Sequence, residues 1–143
     1  MDDTLCHYRR KFSLHKEQYP HVQWPQSKKG FFLDLEPYDD AIESVNKLRA
    51  SHNVYILTKP SVMNAHSYTE KRLWIESHFG LEFCHNLILC PDKSLLRGDY
   101  LIDDFAWPGF QGMQMIFGKP PFETWKDVMK YFATWQVREK NPM

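Results

Sequence analysis

The chain has 143 residues, the size of one domain, and 43% of them are hydrophobic, enough for a buried core. Its 18 basic and 18 acidic residues cancel, which argues against a general nucleic-acid-binding protein, because such proteins usually carry a basic excess. Since no run of about 18 apolar residues is present, we expect no transmembrane helix and no membrane partner.

Two helices are predicted in the first part of the chain. The first covers residues 5–19 and is followed by an exposed loop over residues 20–30, which is rich in proline and lysine. The second covers residues 39–50, where Asp39 or Asp40 can cap its start. Its apolar stripe consists of Ala41, Val45 and Leu48.

Strands and helices alternate in the rest of the chain. Four short apolar runs predict buried strands, at residues 54–58, 86–90, 100–102 and 113–117. A helix over residues 64–79 separates the first two, with an apolar face of Tyr68, Ile75 and Phe79. The last helix starts at Thr124, which forms a capping-box pattern with Asp127. Its apolar stripe is Trp125, Val128, Met129 and Phe132.

This alternation predicts an α/β fold with a parallel sheet that helices cover on both faces. We expect one domain over residues 1–143. Its cysteines, Cys6, Cys84 and Cys90, form no C-x-x-C pair, and the N-terminus has no secretory signal pattern. Both features favour a cytoplasmic protein. A homodimer is compatible with the sequence, which does not fix the oligomeric state.

Polar side chains follow three of the predicted strands, at the edge where parallel sheets bind ligands. Thr58 ends the first strand and offers a hydroxyl, and with Lys59 also backbone N–H groups, to a phosphate oxygen. Lys93 follows the second strand, and Asp103 and Asp104 end the third with carboxylates of the kind that Mg²⁺ prefers. Each residue has an ordinary structural alternative as a strand-end, loop or turn residue. Their convergence favours a phosphate-transfer site.

Two further carboxylates lie at the N-terminus, on Asp2 and Asp3. A carboxylic acid beside a leaving oxygen can donate a proton and later activate water, which is the chemistry that this site would need. The alternative is a disordered acidic terminus.

Together these residues resemble the motifs of the haloacid dehalogenase superfamily of phosphohydrolases. That family's first motif is Asp-x-Asp-x-Thr, and Asp2 and Thr4 match its second aspartate and its threonine. Thr58 matches the second motif, Lys93 the third and Asp103-Asp104 the fourth. Within the superfamily the chain is most similar to the small 5'(3')-deoxyribonucleotidases of the cytosolic type C family. The similarity lies in Asp2-Asp3-Thr4-Leu5, Pro91-Asp92-Lys93-Ser94 and Tyr100-Leu101-Ile102-Asp103-Asp104.

The resemblance implies a three-layer, Rossmann-type α/β core with a small helical cap inserted over roughly residues 6–35. It also implies Mg²⁺-dependent hydrolysis of a small phosphate ester, a nucleoside monophosphate, through an aspartyl-phosphate. In the catalytic set, Asp2 would be the general acid and base and a metal ligand, while Thr58 and Lys93 would hold the phosphate. The other metal-binding residues would be Asp103 and Asp104. Four cap aromatics would either stack on the base or lie in the core: Phe12, Trp24, Phe31 and Phe32.

The family's nucleophile is the first aspartate of its first motif, and that position would fall immediately before Met1. The apolar strand that leads to it, central in the family's sheet, is also absent from the sequence. We therefore expect a truncated sheet and a very poor enzyme, because losing a covalent nucleophile costs several orders of magnitude in rate. Either the true start lies upstream of Met1, or the protein is a non-catalytic relative that binds a nucleotide or a protein partner. The presence of Asp2, Thr58, Lys93 and Asp103 favours the first.

Overall fold

The computed structural model describes the backbone of residues 1–140 and the side chains of residues 1–134. Within these residues helices and strands alternate, as expected for an α/β protein. In chain order they are α1 Tyr8–Gln18, α2 Ala41–Arg49, β1 Ile56–Thr58, α3 His66–Phe79, β2 Leu87–Leu89, β3 Arg97–Asp103, β4 Gln111–Ile116 and α4 Trp125–Lys140. Short 3-10 turns lie at Pro25–Ser27, Leu81–Asn86 and Lys93–Leu95.

The strands form two parallel pairs. β1 pairs with β2 and β3 pairs with β4, so the predicted parallel pairing is confirmed. Across residues 1–140 the two pairs are separate two-stranded sheets, not one continuous sheet. A cavity of about 560 Å³ is lined by residues 54–57 on one side and residues 96–102 on the other. We call this space between β1 and β3 the interstrand cavity.

Helices α2 and α4 pack against each other and supply much of the hydrophobic core. The stripes predicted for both helices are confirmed: Ala41, Val45, Leu48, Trp125, Val128 and Phe132 are buried, and Met129 packs against them. The capping box of α4 is also confirmed, because the Thr124 N–H donates to Asp127 Oδ2 over 2.9 Å. The Asp127 N–H in turn lies 3.4 Å from Thr124 Oγ1.

Two predicted helix starts differ from the observed ones. α1 begins at Tyr8 instead of Leu5, because residues 1–6 form a tight turn in which the Leu5 N–H donates to the Met1 carbonyl over 2.8 Å. Asp40 precedes α2 in a left-handed conformation with a φ of 63°, and its side chain makes no capping hydrogen bond. The Ala41 N–H instead donates to the Tyr38 carbonyl over 3.1 Å, so a turn replaces the expected cap.

The apolar face predicted for α3 was wrong in part, since Tyr68 is 43% exposed. The buried side chains of this helix are Ser67, Glu70, Lys71, Trp74 and Ile75. Glu70 accepts the backbone N–H groups of Gly30 and Phe32, and the Trp74 indole donates to the Leu35 carbonyl over 2.8 Å. α3 thus fixes the segment that precedes α2 through polar contacts. No helix within residues 1–140 is long and apolar enough to span a membrane.

Candidate active site

Two buried lysines, each paired with an aspartate, form the centre of the site. Lys93 is 5% exposed, and its ammonium donates to Asp103 Oδ1 over 2.8 Å at the end of β3. Lys71 is fully buried on α3, and its ammonium donates to Asp2 Oδ2 over 2.7 Å and to Thr58 Oγ1 over 2.9 Å. Charges this deeply buried are costly unless they are paired, so each lysine requires its carboxylate.

The N-terminal amine of Met1 connects the two pairs. Its pKa is lowered to about 6, mainly by burial and then by the Lys93 charge, while the charges of Asp2 and Asp103 oppose the shift. Lys71 also acts on this amine. The charges of both lysines and both aspartates therefore act on this one buried amine. Asp2 and Asp103, which are far apart in the sequence, consequently lie in the same part of the molecule.

A second layer of charges surrounds this centre. Arg9 Nη2 donates to Asp104 Oδ2 over 2.9 Å, and its Nε lies 3.4 Å from Asp3 Oδ2. Asp3 also accepts the Arg9 backbone N–H in the first turn of α1, so its carboxylate caps that helix. Burial raises the pKa of Asp104, and the neighbouring charges of Asp103 and Asp3 raise it further. Negative charge is therefore concentrated beside Asp103.

The donor set suits a hard cation such as Mg²⁺. Asp2 Oδ1 is buried and has no hydrogen-bond partner, so one carboxylate oxygen is left without a donor. Burial is the main cause of the raised pKa of Asp104, and the charges of Asp103 and Asp3 add to it, so three carboxylates lie near one another. Among the described residues, no cluster of three or more His, Cys, Asp or Glu side chains forms a ready cage. The residues thus fit an open site in which water and substrate oxygens complete the coordination.

The predicted phosphate-binding residues occupy different environments. Thr58 is 1% exposed at the end of β1, and its hydroxyl faces Lys71. Lys59 is exposed and lies outside the buried cluster. Its charge contributes to lowering the pKa of Asp92, although the hydrogen bonds from Ser94 are the larger cause. The structure therefore brings the Thr58 side chain to the centre but leaves the Lys59 side chain at the surface.

Most of the cap aromatics belong to the core. Phe31 and Phe32 are 4% and 1% exposed, and Phe12 packs against the same cluster. Trp24 is 57% exposed. Of the four aromatic residues, Trp24 has the most free ring surface for a ligand.

Comparison with known proteins identifies the family. The family model described as "5' nucleotidase, deoxy (Pyrimidine), cytosolic type C protein" matches residues 8–140, nearly the whole chain. The chain belongs to this family. The resemblance inferred from its motifs, to a deoxyribonucleotidase family of the haloacid dehalogenase type, is therefore confirmed.

Individual relatives in this deoxyribonucleotidase family match different lengths of the chain. The human cytosolic 5'(3')-deoxyribonucleotidase is 42% identical over 77 residues, which are 52% of this chain and 38% of that protein. The mouse mitochondrial 5'(3')-deoxyribonucleotidase is 32% identical over 123 residues, 79% of this chain and 52% of that protein. A putative 5'(3')-deoxyribonucleotidase of Vibrio phage KVP40 is 34% identical over 108 residues, 73% of this chain and 64% of that protein. The chain thus spans less than two thirds of each relative's length.

Two residues of the site were not predicted from the sequence. Lys71 lies on the buried stripe of α3, four residues before Ile75, and its partners Asp2 and Thr58 are distant in the sequence, so no local pattern marked it as buried. Trp107 follows β3 in an irregular segment, and its indole N–H donates to Asp103 Oδ2 over 2.7 Å. No local pattern pointed to Trp107.

Proposed function

We propose that this deoxyribonucleotidase-family protein is a Mg²⁺-dependent phosphohydrolase that acts on nucleoside monophosphates in the cytoplasm. The supporting observation is that the Lys71–Asp2 and Lys93–Asp103 pairs lie near each other, since the charges of all four side chains act at the nitrogen of Met1. Such a cluster supplies the cations and carboxylates that phosphoryl transfer needs. The names of the relatives suggest the substrate class.

Each residue has a proposed role. Lys93, with the Thr58 hydroxyl, would hold the phosphate, and Asp2 would act as general acid and base. Asp103 and Asp104 would hold Mg²⁺ together with Asp2, and the bound ion would neutralise charge on the phosphate oxygens. The Lys71 ammonium donates to both Asp2 and Thr58, so it would hold the acid–base group and the phosphate-binding hydroxyl at a fixed distance from each other. The cap over roughly residues 6–35 would cover the substrate.

We further propose that residues 1–143 alone do not turn substrate over, because they hold no aspartate at the nucleophile position. A parallel strand placed in the interstrand cavity would pair with both β1 and β3 and join the two sheets into one. Met1 and Thr4 line that cavity, so such a strand would end directly beside the site. Its last residue, immediately before Met1, is where the aspartate nucleophile would lie. The joined sheet, covered by helices on both faces, would have the three-layer architecture.

Three polypeptides test this proposal. The first is residues 1–143, and the second adds about ten upstream residues, an apolar strand ending in aspartate. The third is the same extension with asparagine as its last residue. We expect only the aspartate form to release phosphate from a deoxynucleoside monophosphate with Mg²⁺, several orders of magnitude faster than the other two. Equal rates for the aspartate and asparagine forms would exclude the covalent nucleophile.

The alternative is a non-catalytic protein that binds a nucleotide or a protein partner. If this alternative is right, calorimetry should show that the aspartate form binds a nucleoside monophosphate, and no phosphate should be released. Turnover by that form excludes it.

A further inference from the structure

Both oxygens of the Asp103 carboxylate are engaged, one by a charged donor and one by a neutral donor. Lys93 Nζ lies 2.8 Å from Oδ1, and the Trp107 indole Nε1 lies 2.7 Å from Oδ2. An ionised carboxylate oxygen has lone pairs for more than one partner, so the indole hydrogen bond leaves Oδ2 able to bind a cation as well. Because the indole is uncharged, it orients the carboxylate without neutralising it.

Packing does not explain the tryptophan at this position. Trp107 is half-buried and is not part of the hydrophobic core among the described residues. Its ring contacts Phe105, which is itself 61% exposed, at a centroid distance of 5.5 Å. The Lys93 ammonium lies 5.9 Å from the centroid of the same ring. The side-chain hydrogen bond of Trp107 is thus directed at Asp103, and its ring lies near Lys93.

The backbone of Trp107 is fixed by β4. The Gln114 side chain accepts the Trp107 N–H over 2.8 Å and donates to the Trp107 carbonyl over 2.8 Å. The Phe110 N–H also donates to that carbonyl, over 2.9 Å. A side-chain amide that pairs with both polar groups of one residue holds it in one orientation, as a neighbouring strand would.

The segment around Trp107 and Gly109 also packs closely against the turn that carries Lys93. A Cβ added to Gly109 would lie 2.6 Å from the Ser94 Cβ, so only glycine fits this approach. Ser94 cannot easily move away, because its N–H and hydroxyl both donate to Asp92 Oδ1 over 2.9 and 2.6 Å. The segment is therefore held from two sides, by β4 and by the Lys93 turn.

We propose that Trp107 is a positioning residue for the metal ligand Asp103, and that its indole N–H sets the affinity of the site for Mg²⁺. This inference rests on the proposed function, since it assigns Asp103 to the metal. Partners that hydrogen-bond to metal ligands typically contribute 10- to 100-fold to metal affinity. The contribution of a neutral donor on one oxygen should lie at about the lower end, 10-fold.

The test uses residues 1–143 labelled with ¹⁵N, in which each tryptophan gives one indole N–H resonance. Trp107→Phe keeps an aromatic ring but removes the donor, and its missing peak assigns Trp107. We expect that peak to move on addition of MgCl₂, whereas the Trp74 indole, bonded to the Leu35 carbonyl, stays in place. Calorimetry should give an about 10-fold weaker Mg²⁺ affinity for Trp107→Phe and an unchanged affinity for Tyr68→Phe, which alters an exposed ring of α3.

A second variant covers the case in which Trp107→Phe fails to fold. Gly109→Ala keeps the indole but displaces the segment, so it should shift the Trp107 resonance and also weaken Mg²⁺ binding. Wild-type affinity in the folded variants would overturn the role of Trp107 and leave the proposed function intact. If Mg²⁺ binds neither the wild type nor the variants, the metal site itself fails, and the role of Trp107 fails with it.

Discussion

A polypeptide that begins at Met1 should lose stability as the pH falls through neutrality, because its N-terminal amine is buried. Met1 is 4% exposed, and burial, assisted by the Lys93 charge, lowers the pKa of the amine from 8.0 to about 6. The perturbation that isolates this effect is acetylation of the amine, which removes its charge at every pH. The interstrand cavity that Met1 lines, about 560 Å³, leaves room for an acetyl group.

The size and sign of the effect follow from the two pKa values. Between pH 6 and 8 the unfolded amine binds a proton that the folded amine does not, so the free energy of unfolding rises with pH across this window. Two pKa units correspond to about 3 kcal/mol of stability, which is lost in full well below pH 6 and fully present above pH 8. Burial also lowers the pKa of His78, which adds a loss of the same sign in both forms.

Urea unfolding at pH 5.5, 7 and 8.5 measures the difference between the free and the acetylated protein. We expect the acetylated form to be more stable by about 2–3 kcal/mol at pH 5.5 and the difference to shrink toward zero at pH 8.5. His78 cancels in this comparison, since both forms contain it. A difference that stays constant with pH would refute the buried-amine argument.

Two further predictions concern stability and are measured by urea unfolding. Lys71→Met should cost about 2 kcal/mol, below the usual range for a broken buried pair because the Asp2 side chain is 26% exposed. Lys47→Met breaks an exposed pair and should cost less than about 0.5 kcal/mol, so equal losses would contradict the argument. Thr124→Ala should cost about 1 kcal/mol through the lost cap of α4. Thr134→Ala, within the same helix, should be neutral or stabilising; a similar loss would exclude a capping effect.

The parts of the fold that the sequence predicted are those that local interactions determine. The stripes of α2 and α4 and the capping box at Thr124 depend on spacings of three and four residues, and all were confirmed. The buried face of α3 was missed because its polar members, Glu70 and Lys71, find partners far away in the sequence. A charged residue on a helical stripe normally indicates solvent, and only tertiary contacts reverse that expectation.

In the candidate site, too, residues placed by local patterns could be proposed from the sequence, and residues placed by tertiary contacts could not. Thr58, Lys93 and Asp103 were proposed for the site because they end or follow apolar runs, and the structure buries all three side chains. Trp107 could not be proposed, because its indole reaches Asp103 only through the irregular segment that Gln114 holds. The interstrand cavity was equally invisible to pattern analysis, since strand periodicity reports which faces are buried and not which edges are paired.

The charges at the centre of the site predict that phosphate and Mg²⁺ bind together. Lys71 with Asp2, and Lys93 with Asp103, form two neutral pairs. A phosphate dianion or a divalent cation alone would add net charge to this buried region, whereas both together restore neutrality. We expect saturating Mg²⁺ to raise the calorimetric affinity of residues 1–143 for inorganic phosphate about 5- to 150-fold, with the reciprocal effect of phosphate on Mg²⁺. Equal phosphate affinities with and without Mg²⁺ would show that the two pairs do not act as one neutral centre.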